Sequence, residues 1–515
     1  YSCRPADRVS CMLFNSYLYI FIFLPITLSV FFFVARRAGE TTAICWLIAM
    51  SFVFYAWWNP AYVPLLAGSI IFNYWCGRSL QNADNRHIAG AVLVLGITCN
   101  LLLLGYFKYA GFFAGIANAL SGTEFLVGEI ILPLAISFFT FQQIAYLVDG
   151  YKKIVTSSGF LRYCLFITFF PQLIAGPIVH HKEMMPQFQE SRIFCFLSSN
   201  LALGSAIFIV GLFKKVVIGD SLDGLVTPAF SAAELGENPG FYSSWLAAFA
   251  FSLQVYFDFS GYTDMAIGSA LMIGIQLPVN FFSPYKAASI SELWRRWHMT
   301  LTRFITEYIF TPISHKLARL SLKLASNTWL LLILASVIPL IITFVLVGLW
   351  HGAGWNFVLF GLYQGLLLSL HAIWQQMKRA KRRKFTIPKS LGVALTLLAW
   401  VWGVVLFRAD SLTGITAMYA AMLDISSLSA LKGASLYSAA VVVILYGLTL
   451  ILPNTEQLFH QHRPRLSDKS LEKLRISATR IHWKESIPCA IFFAALFFTA
   501  MVFMTRKIEF IYFQF

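Results

Sequence analysis

The sequence predicts an all-α polytopic membrane protein with about 11 to 13 transmembrane helices plus re-entrant or interfacial ones.

 Three observations predict it. Of the 515 residues, 58% are hydrophobic and 16% aromatic, with 49 phenylalanines, and only 12% are charged, about half the charged share of a soluble domain. The mean hydropathy of +0.70 is too high for the apolar side chains to hide in one water-facing core, which excludes soluble, disordered and fibrous classes. The apolar residues run in blocks of about 20, the length a helix needs to cross the hydrocarbon core, without the alternation of a membrane β-barrel.

The blocks fall near 16–35, 41–58, 61–76, 88–107, 125–148, 197–218, 241–258, 328–350, 355–376, 388–407, 434–452 and 486–505. The first follows a polar stretch, 1–11, which reads as an extension ahead of a start at Met12. Arg36-Arg37 closes that block with no small-residue cleavage site, so it is expected to stay as an anchor. Shorter apolar pieces at 163–178, 263–276 and 301–314 are the candidates for re-entrant or interfacial helices. No internal repeat is visible, which counts against a secondary transporter, and one membrane domain is expected over 1–515. The eight cysteines lie mostly inside apolar blocks, without CxxC spacing or a histidine partner, so neither a disulfide framework nor a metal site is indicated.

Lys and Arg outnumber Asp and Glu by 39 to 23, a net charge of +16. In a soluble chain this would point to nucleic acid. Here the cations sit between apolar blocks, where they set orientation in the bilayer, and no nucleic-acid partner is expected. Two polar segments stand out. One is 378–387, with Lys378, Arg379, Lys381, Arg382, Arg383 and Lys384; the other is 455–485, with Arg463, Arg465, Lys469, Lys473, Arg475, Arg480 and Lys484. Two spans separate them, so both can lie on the cytoplasmic side; docking of anionic lipid or a partner is the alternative.

Between 326 and 377 there is no Asp, Glu, Lys or Arg, and near the middle sits Gly348-Leu349-Trp350-His351-Gly352-Ala353-Gly354-Trp355-Asn356-Phe357. An ionisable side chain in such surroundings commonly faces a cavity or the bundle interior and is a functional candidate. Gly348, Gly352 and Gly354 remove bulk around His351 and are expected to leave room for a ligand, which the Trp350 and Trp355 indoles could wall off. The plain alternative is a turn between spans, with His351 at the interface and the indoles in an aromatic belt.

Upstream lies Ser289-Ile290-Ser291-Glu292-Leu293-Trp294-Arg295-Arg296-Trp297-His298-Met299-Thr300-Leu301. At helical spacing Trp294, Trp297 and His298 share one side. The segment suits an interfacial helix or an anion-binding mouth beside a second buried imidazole, since guanidinium forks match phosphate oxygens. Asp258 and Asp264, in an apolar stretch from Gln254 to Asp264, could orient a histidine, pair with an arginine, or serve as buried hydrogen-bonding acids. His180-His181 follow a Gly-Pro turn and remain open between structural and functional roles. His371 reads as a bundle residue, and His87, His460, His462 and His482 as solvated ones.

The two-histidine pattern Trp294-Arg295-Arg296-Trp297-His298 … Gly348-Leu349-Trp350-His351-Gly352 resembles the membrane-bound O-acyltransferase family, in its bacterial alginate O-acetyltransferase branch. The resemblance runs from Met12 through Leu132–Phe141, Phe170–Val179, Gly211–Val217, Tyr256–Thr263, Asn280, Pro284-Tyr285 and Phe407-Arg408-Ala409. It implies that His351 is the essential catalytic residue and His298 its polar partner, and that an acyl group taken on the cytoplasmic side passes through a tunnel to an extracytoplasmic acceptor. Trp350, Trp355, Asn356, Trp297 and Asp258 are then the candidates for lining that tunnel. Flanking positions depart from the pattern: His180-His181 stand where the family often has Arg, Thr306-Glu307-Tyr308 replaces Arg-Asp-Tyr, Pro312-Ile313-Ser314-His315 replaces Pro-Leu-Gly-Gly, and Gln364 replaces a His.

Acyl transfer from a thioester to an alcohol needs a base for the hydroxyl, stabilisation of an oxyanion, and exclusion of water. A neutral His351 is the expected base. Oxyanion donors could be His298, the Trp350 indole, Asn356 or backbone amides. No Ser or Cys near the motif has an evident activating base, which favours direct transfer over an acyl-enzyme. The resemblance implies acetyl-CoA as donor, with no bound cofactor, and the charges nominate Arg295, Arg296, Lys214 and Lys215 for its phosphates. The expected function is O-acetylation of an exported, alginate-like polysaccharide at a bacterial inner membrane, with periplasmic partner proteins. Peptidoglycan, O-antigen, cellulose or D-alanylated teichoic acid are alternative targets, and a small-molecule transporter or a non-catalytic scaffold are alternative classes.

Overall fold

A computed structural model describes residues 12–122, 128, 130–155, 159–324, 327–380, 387–427, 436–462, 465–466, 481–505 and 511. The extension 1–11, the cations Lys381, Arg382, Arg383 and Lys384, and Arg463, Lys469, Lys473, Arg475 and Arg480 of the second polar segment lie outside the described residues. Among the described residues the regular structure is helical throughout, with no strand.

Among the described residues, six helical runs are long and apolar enough to cross a membrane: Tyr19–Ala38, Arg86–Ser121, Ser198–Glu234, Thr328–His351, Trp355–Ala380 and Lys389–Arg408. Four more apolar helices, Glu40–Ala56, Leu412–Leu423, Leu436–Ile451 and Ile487–Phe503, are shorter. The chain is therefore a multi-pass membrane protein, as its composition predicts. Several expected blocks acquire different bounds. Block 61–76 extends into Val63–Asn82, and block 125–148 contributes Ile136–Tyr151. Blocks 241–258 and 263–276 fuse into one 32-residue helix, Phe241–Met272, so 263–276 is no separate re-entrant piece. The piece at 163–178 does interrupt itself, as Phe160–Thr168 and Phe170–Leu173 followed by buried irregular backbone, a conformation tolerated at membrane depth only inside protein.

Phe241–Met272 is the axis of the bundle. At 1.5 Å per residue it is about 48 Å long, and every residue from 250 to 272 is buried. Its closest neighbour, Ser198–Phe213, meets it through glycines: a Cβ at Gly204 would collide with the Gly268 carbonyl, and one at Gly211 with the Gly261 carbonyl. Small residues let two membrane helices approach backbone to backbone and gain dispersion contacts that lipid cannot supply. Gly274, at φ 91°, ends the long helix, with the Ile275 amide returning to the Ala270 carbonyl at 3.0 Å.

The helices Ile338–His351 and Trp355–Ala380 form a hairpin by the same device. A Cβ on Gly348 would overlap the Phe357 carbonyl oxygen, and one on Gly361 the Phe344 carbonyl oxygen. Gly352 and Gly354 are likewise filled in, by the Phe357 ring and the Asn356 side chain. This corrects the expectation that these glycines leave space for a ligand: they let the hairpin close, and its closing fixes where His351 emerges.

Candidate active site

His351 is the last residue of Ile338–His351, where the carbonyls of a helix lack partners within it. Residues of the π-helical turn Gly105–Tyr109 supply them. Tyr109 donates to the Leu349 carbonyl at 2.8 Å, and the Lys108 ammonium donates to the carbonyls of Trp350 and, at 3.2 Å, of His351. A cation there also complements the negative end of the helix dipole. Lys108 was not among the sequence candidates, although a signal was present: it is the single Lys, Arg, Asp or Glu between residues 87 and 121.

The His351 imidazole is enclosed by aromatic rings, with Trp350 at 4.8 Å, Phe407 at 5.1 Å and Phe360 at 6.5 Å between centroids. His298 approaches the same indole, 6.1 Å from Trp350, and packs on Phe259 at 4.8 Å. The structure thus brings together at Trp350 the two histidines that stand 53 positions apart by their residue numbers. Both are buried, in surroundings that exclude water and strengthen any polar interaction made there.

His298 does not sit on a continuous helix, which corrects the helical spacing of Trp294, Trp297 and His298. Ile290–Trp294 stops, and Met299–Ile305 starts after His298, whose φ of 42° is left-handed. A non-glycine residue held there costs about 1–3 kcal/mol and persists only where its surroundings over-determine it. Here the Phe282 amide donates to the Arg296 carbonyl and the Met299 amide to the Asn280 carbonyl, both at 2.9 Å. Trp294 and Trp297 still meet at Trp400, while His298 packs on Phe259 and Trp350. Trp294 donates its indole N–H to Gln364 at 3.1 Å, and Trp297 packs on Trp400 and Phe281.

The remaining candidates divide. Trp355 is 51% exposed and packs on Phe112, so it does not wall the imidazole. Asn356 donates to the Ala409 carbonyl at 2.9 Å and ties two helices together. Asp258 pairs with Lys215 and Asp264 with Lys214, and Asp264 also attracts the Arg465 guanidinium electrostatically. Lys215 lies 2.5 Å from both Asp220 and Asp258, fully buried, and Asp258 also accepts from the Ile511 amide. Lys214 meets Asp264 and Thr455 at 2.7 Å each. Lys215 therefore has no surface to offer a phosphate, and Asp258 is committed to an ion cluster. Arg296 is held by Glu292 at 2.7 Å and by the Phe282 carbonyl. Arg295 alone of the four proposed phosphate cations is exposed.

His180, open in sequence, is buried in a second cluster. Its Nδ1 lies 3.2 Å from the Tyr308 hydroxyl, which donates to Asp149 at 3.0 Å. Burial, reinforced by Arg303 and Lys182, pushes this imidazole down to about 3. Ring contacts join the two clusters: Trp350 stacks on Phe141 at 5.5 Å, Phe141 stacks on Phe304 at 4.6 Å, and Phe304 lies tilted against Tyr308 at 4.9 Å. His181 packs between Tyr146 and Phe166.

Residues 151–407 match the family model of the membrane-bound O-acyltransferases. A peptidoglycan O-acetyltransferase of Helicobacter pylori is 40% identical over 452 residues, 82% of each chain. A probable alginate O-acetylase of Azotobacter vinelandii is 35% identical over 85% of each chain. A teichoic acid D-alanyltransferase of Streptococcus thermophilus is 26% identical over 50% of this chain and 60% of its own.

Proposed function

The chain belongs to the membrane-bound O-acyltransferase family, and from that premise we propose that it transfers an acetyl group from acetyl-CoA to a hydroxyl destined for an exported cell-envelope glycan. The observation that carries this reading is the convergence of His351 and His298 on the Trp350 indole. His351 takes the proton of the attacking hydroxyl, the new C–O bond forms as the thioester carbonyl becomes an oxyanion, and collapse of that intermediate breaks the C–S bond. The thiolate leaves with the proton that His351 had taken. The aromatic enclosure excludes water that would otherwise hydrolyse the thioester. The protein works in a bacterial inner membrane, with donor on the cytoplasmic side and periplasmic proteins completing delivery.

An alginate-like polysaccharide is the first reading of the acceptor. Peptidoglycan is the second, favoured by the 40% identity to the Helicobacter pylori enzyme. Comparing O-acetyl content of peptidoglycan and of extracted polysaccharide, with and without the gene, separates the two. Cells carrying His351→Ala at normal protein level are expected to lose the acetylation. Its persistence would remove His351 as the base. Labelled acetyl-CoA given to the purified protein is consumed if the protein is a transferase; a transporter would leave the thioester intact.

A further inference from the structure

One residue contacts His298 and both residues that follow it. Asn280, buried in the irregular stretch after Phe241–Met272, places its Oδ1 2.9 Å from His298 Nδ1, 2.9 Å from the Thr300 hydroxyl and 3.3 Å from the Thr300 amide. Its own carbonyl accepts from the Met299 amide at 2.9 Å. Residue 280 therefore holds positions 298, 299 and 300 in succession, across the left-handed turn.

The directions of these bonds follow from which atoms can donate. A backbone amide only donates, so the Asn280 atom beside the Thr300 N–H is the oxygen. The Thr300 hydroxyl accepts from the Ile178 amide at 3.0 Å and so turns its own hydrogen to the same oxygen. The Asn280 amide nitrogen is directed to the Thr263 hydroxyl at 3.3 Å. Facing an oxygen, His298 Nδ1 must carry the ring proton, and in the neutral imidazole the lone pair is then on Nε2.

We propose that Asn280 is a positioning residue of the transfer site, locking His298 in the Nδ1–H tautomer so that Nε2 acts as a hydrogen-bond acceptor. This rests on the acyl-transfer reading above and sharpens it. A neutral His298 so locked has no N–H to give an oxyanion, so that donor comes from another group. His298 instead receives a proton-bearing group, such as the attacking hydroxyl on its way to His351.

The test uses the full-length protein in nanodiscs with 15N-labelled histidine, the His298 signal being assigned by its loss in His298→Gln. Wild type and Asn280→Asp, which keeps an acceptor oxygen, should show Nδ1 protonated. Asn280→Leu should lose the single tautomer, with kcat for acetyl transfer from acetyl-CoA falling about 10- to 100-fold, the usual effect of removing such a support, and the donor KM held within about twofold. Rescue by Asn280→Asp separates positioning from loss of folding. An Nε2–H tautomer in wild type, or an unchanged kcat in Asn280→Leu, overturns the proposal. If wild type consumes no acetyl-CoA, the acyl-transfer reading fails, while the tautomer measurement still decides what Asn280 does to His298.

Discussion

Lys108 and His180 carry consequences that reach beyond their own contacts. Lys108 closes the carbonyl end of the helix that presents His351. Lys108→Met leaves those carbonyls without their cation, in a place where an unmet polar group is costly. Displacement of a catalytic group by about 1 Å can cost up to 100-fold, so acetyl transfer by Lys108→Met should fall about tenfold or more at equal protein level; full activity would show that the cap does not position His351. His180 acts on stability. Its folded pKa of about 3 lies below its ordinary 6.5, so as pH falls the unfolded chain takes up the proton first. The stability contributed is complete above about pH 6.5 and drains away below it, reaching a loss of about 2 kcal/mol by pH 5. Thermal midpoints at pH 7.5 and pH 5 should therefore differ less in His180→Gln than in wild type. Equal acid sensitivity would place the titrating group elsewhere.

At the scale of elements, what sequence makes legible is what a single segment determines. Hydropathy identifies the apolar helices, and the scarcity of charge between 326 and 377 singles out His351, because both are properties of one stretch of chain. The roles of Asn280, Lys108 and Lys215 depend on partners brought in by folding; 242 residues separate Lys108 from Trp350. The glycines near His351 mislead for the same reason, since space beside a glycine is judged only once the neighbouring helix is in place. Irregular helical turns were equally hidden, yet three π-helical turns carry Lys108, Tyr308 and the Lys214-Lys215 pair, in keeping with the association of such turns with functional sites. The hairpin gives a direct test of close packing. Gly361→Ala sets a methyl group against the Phe344 carbonyl, and overpacking of this kind costs about 1–3 kcal/mol. Its thermal midpoint should fall, while alanine at Gly90, which faces open space, should leave the midpoint near wild type. Matching midpoints in the two variants would mean that the hairpin tolerates separation.

Across the whole molecule the surplus of +16 is divided by burial into cations that hold the bundle and cations that face outward. Lys215 belongs to the first kind, joining a π-helical turn, the central helix through Asp258, and Asp220. Arg295 belongs to the second, standing exposed three positions before the residue that the Asn280 oxygen holds. The two should respond oppositely to substitution. Removing one partner of a buried ion pair strands the other and costs about 3–5 kcal/mol, whereas replacing both with apolar residues is close to neutral. Lys215→Met should therefore sharply lower the thermal midpoint and the yield of folded protein, and adding Asp220→Asn and Asp258→Leu should recover much of the loss. Arg295→Ala should leave the midpoint near wild type and raise the KM for acetyl-CoA, because an exposed guanidinium contributes little to folding but is free to meet a phosphate. An unchanged KM would remove Arg295 from donor binding. A triple substitution no more stable than Lys215→Met would mean that the cluster stabilises the fold by more than mutual neutralisation of its charges.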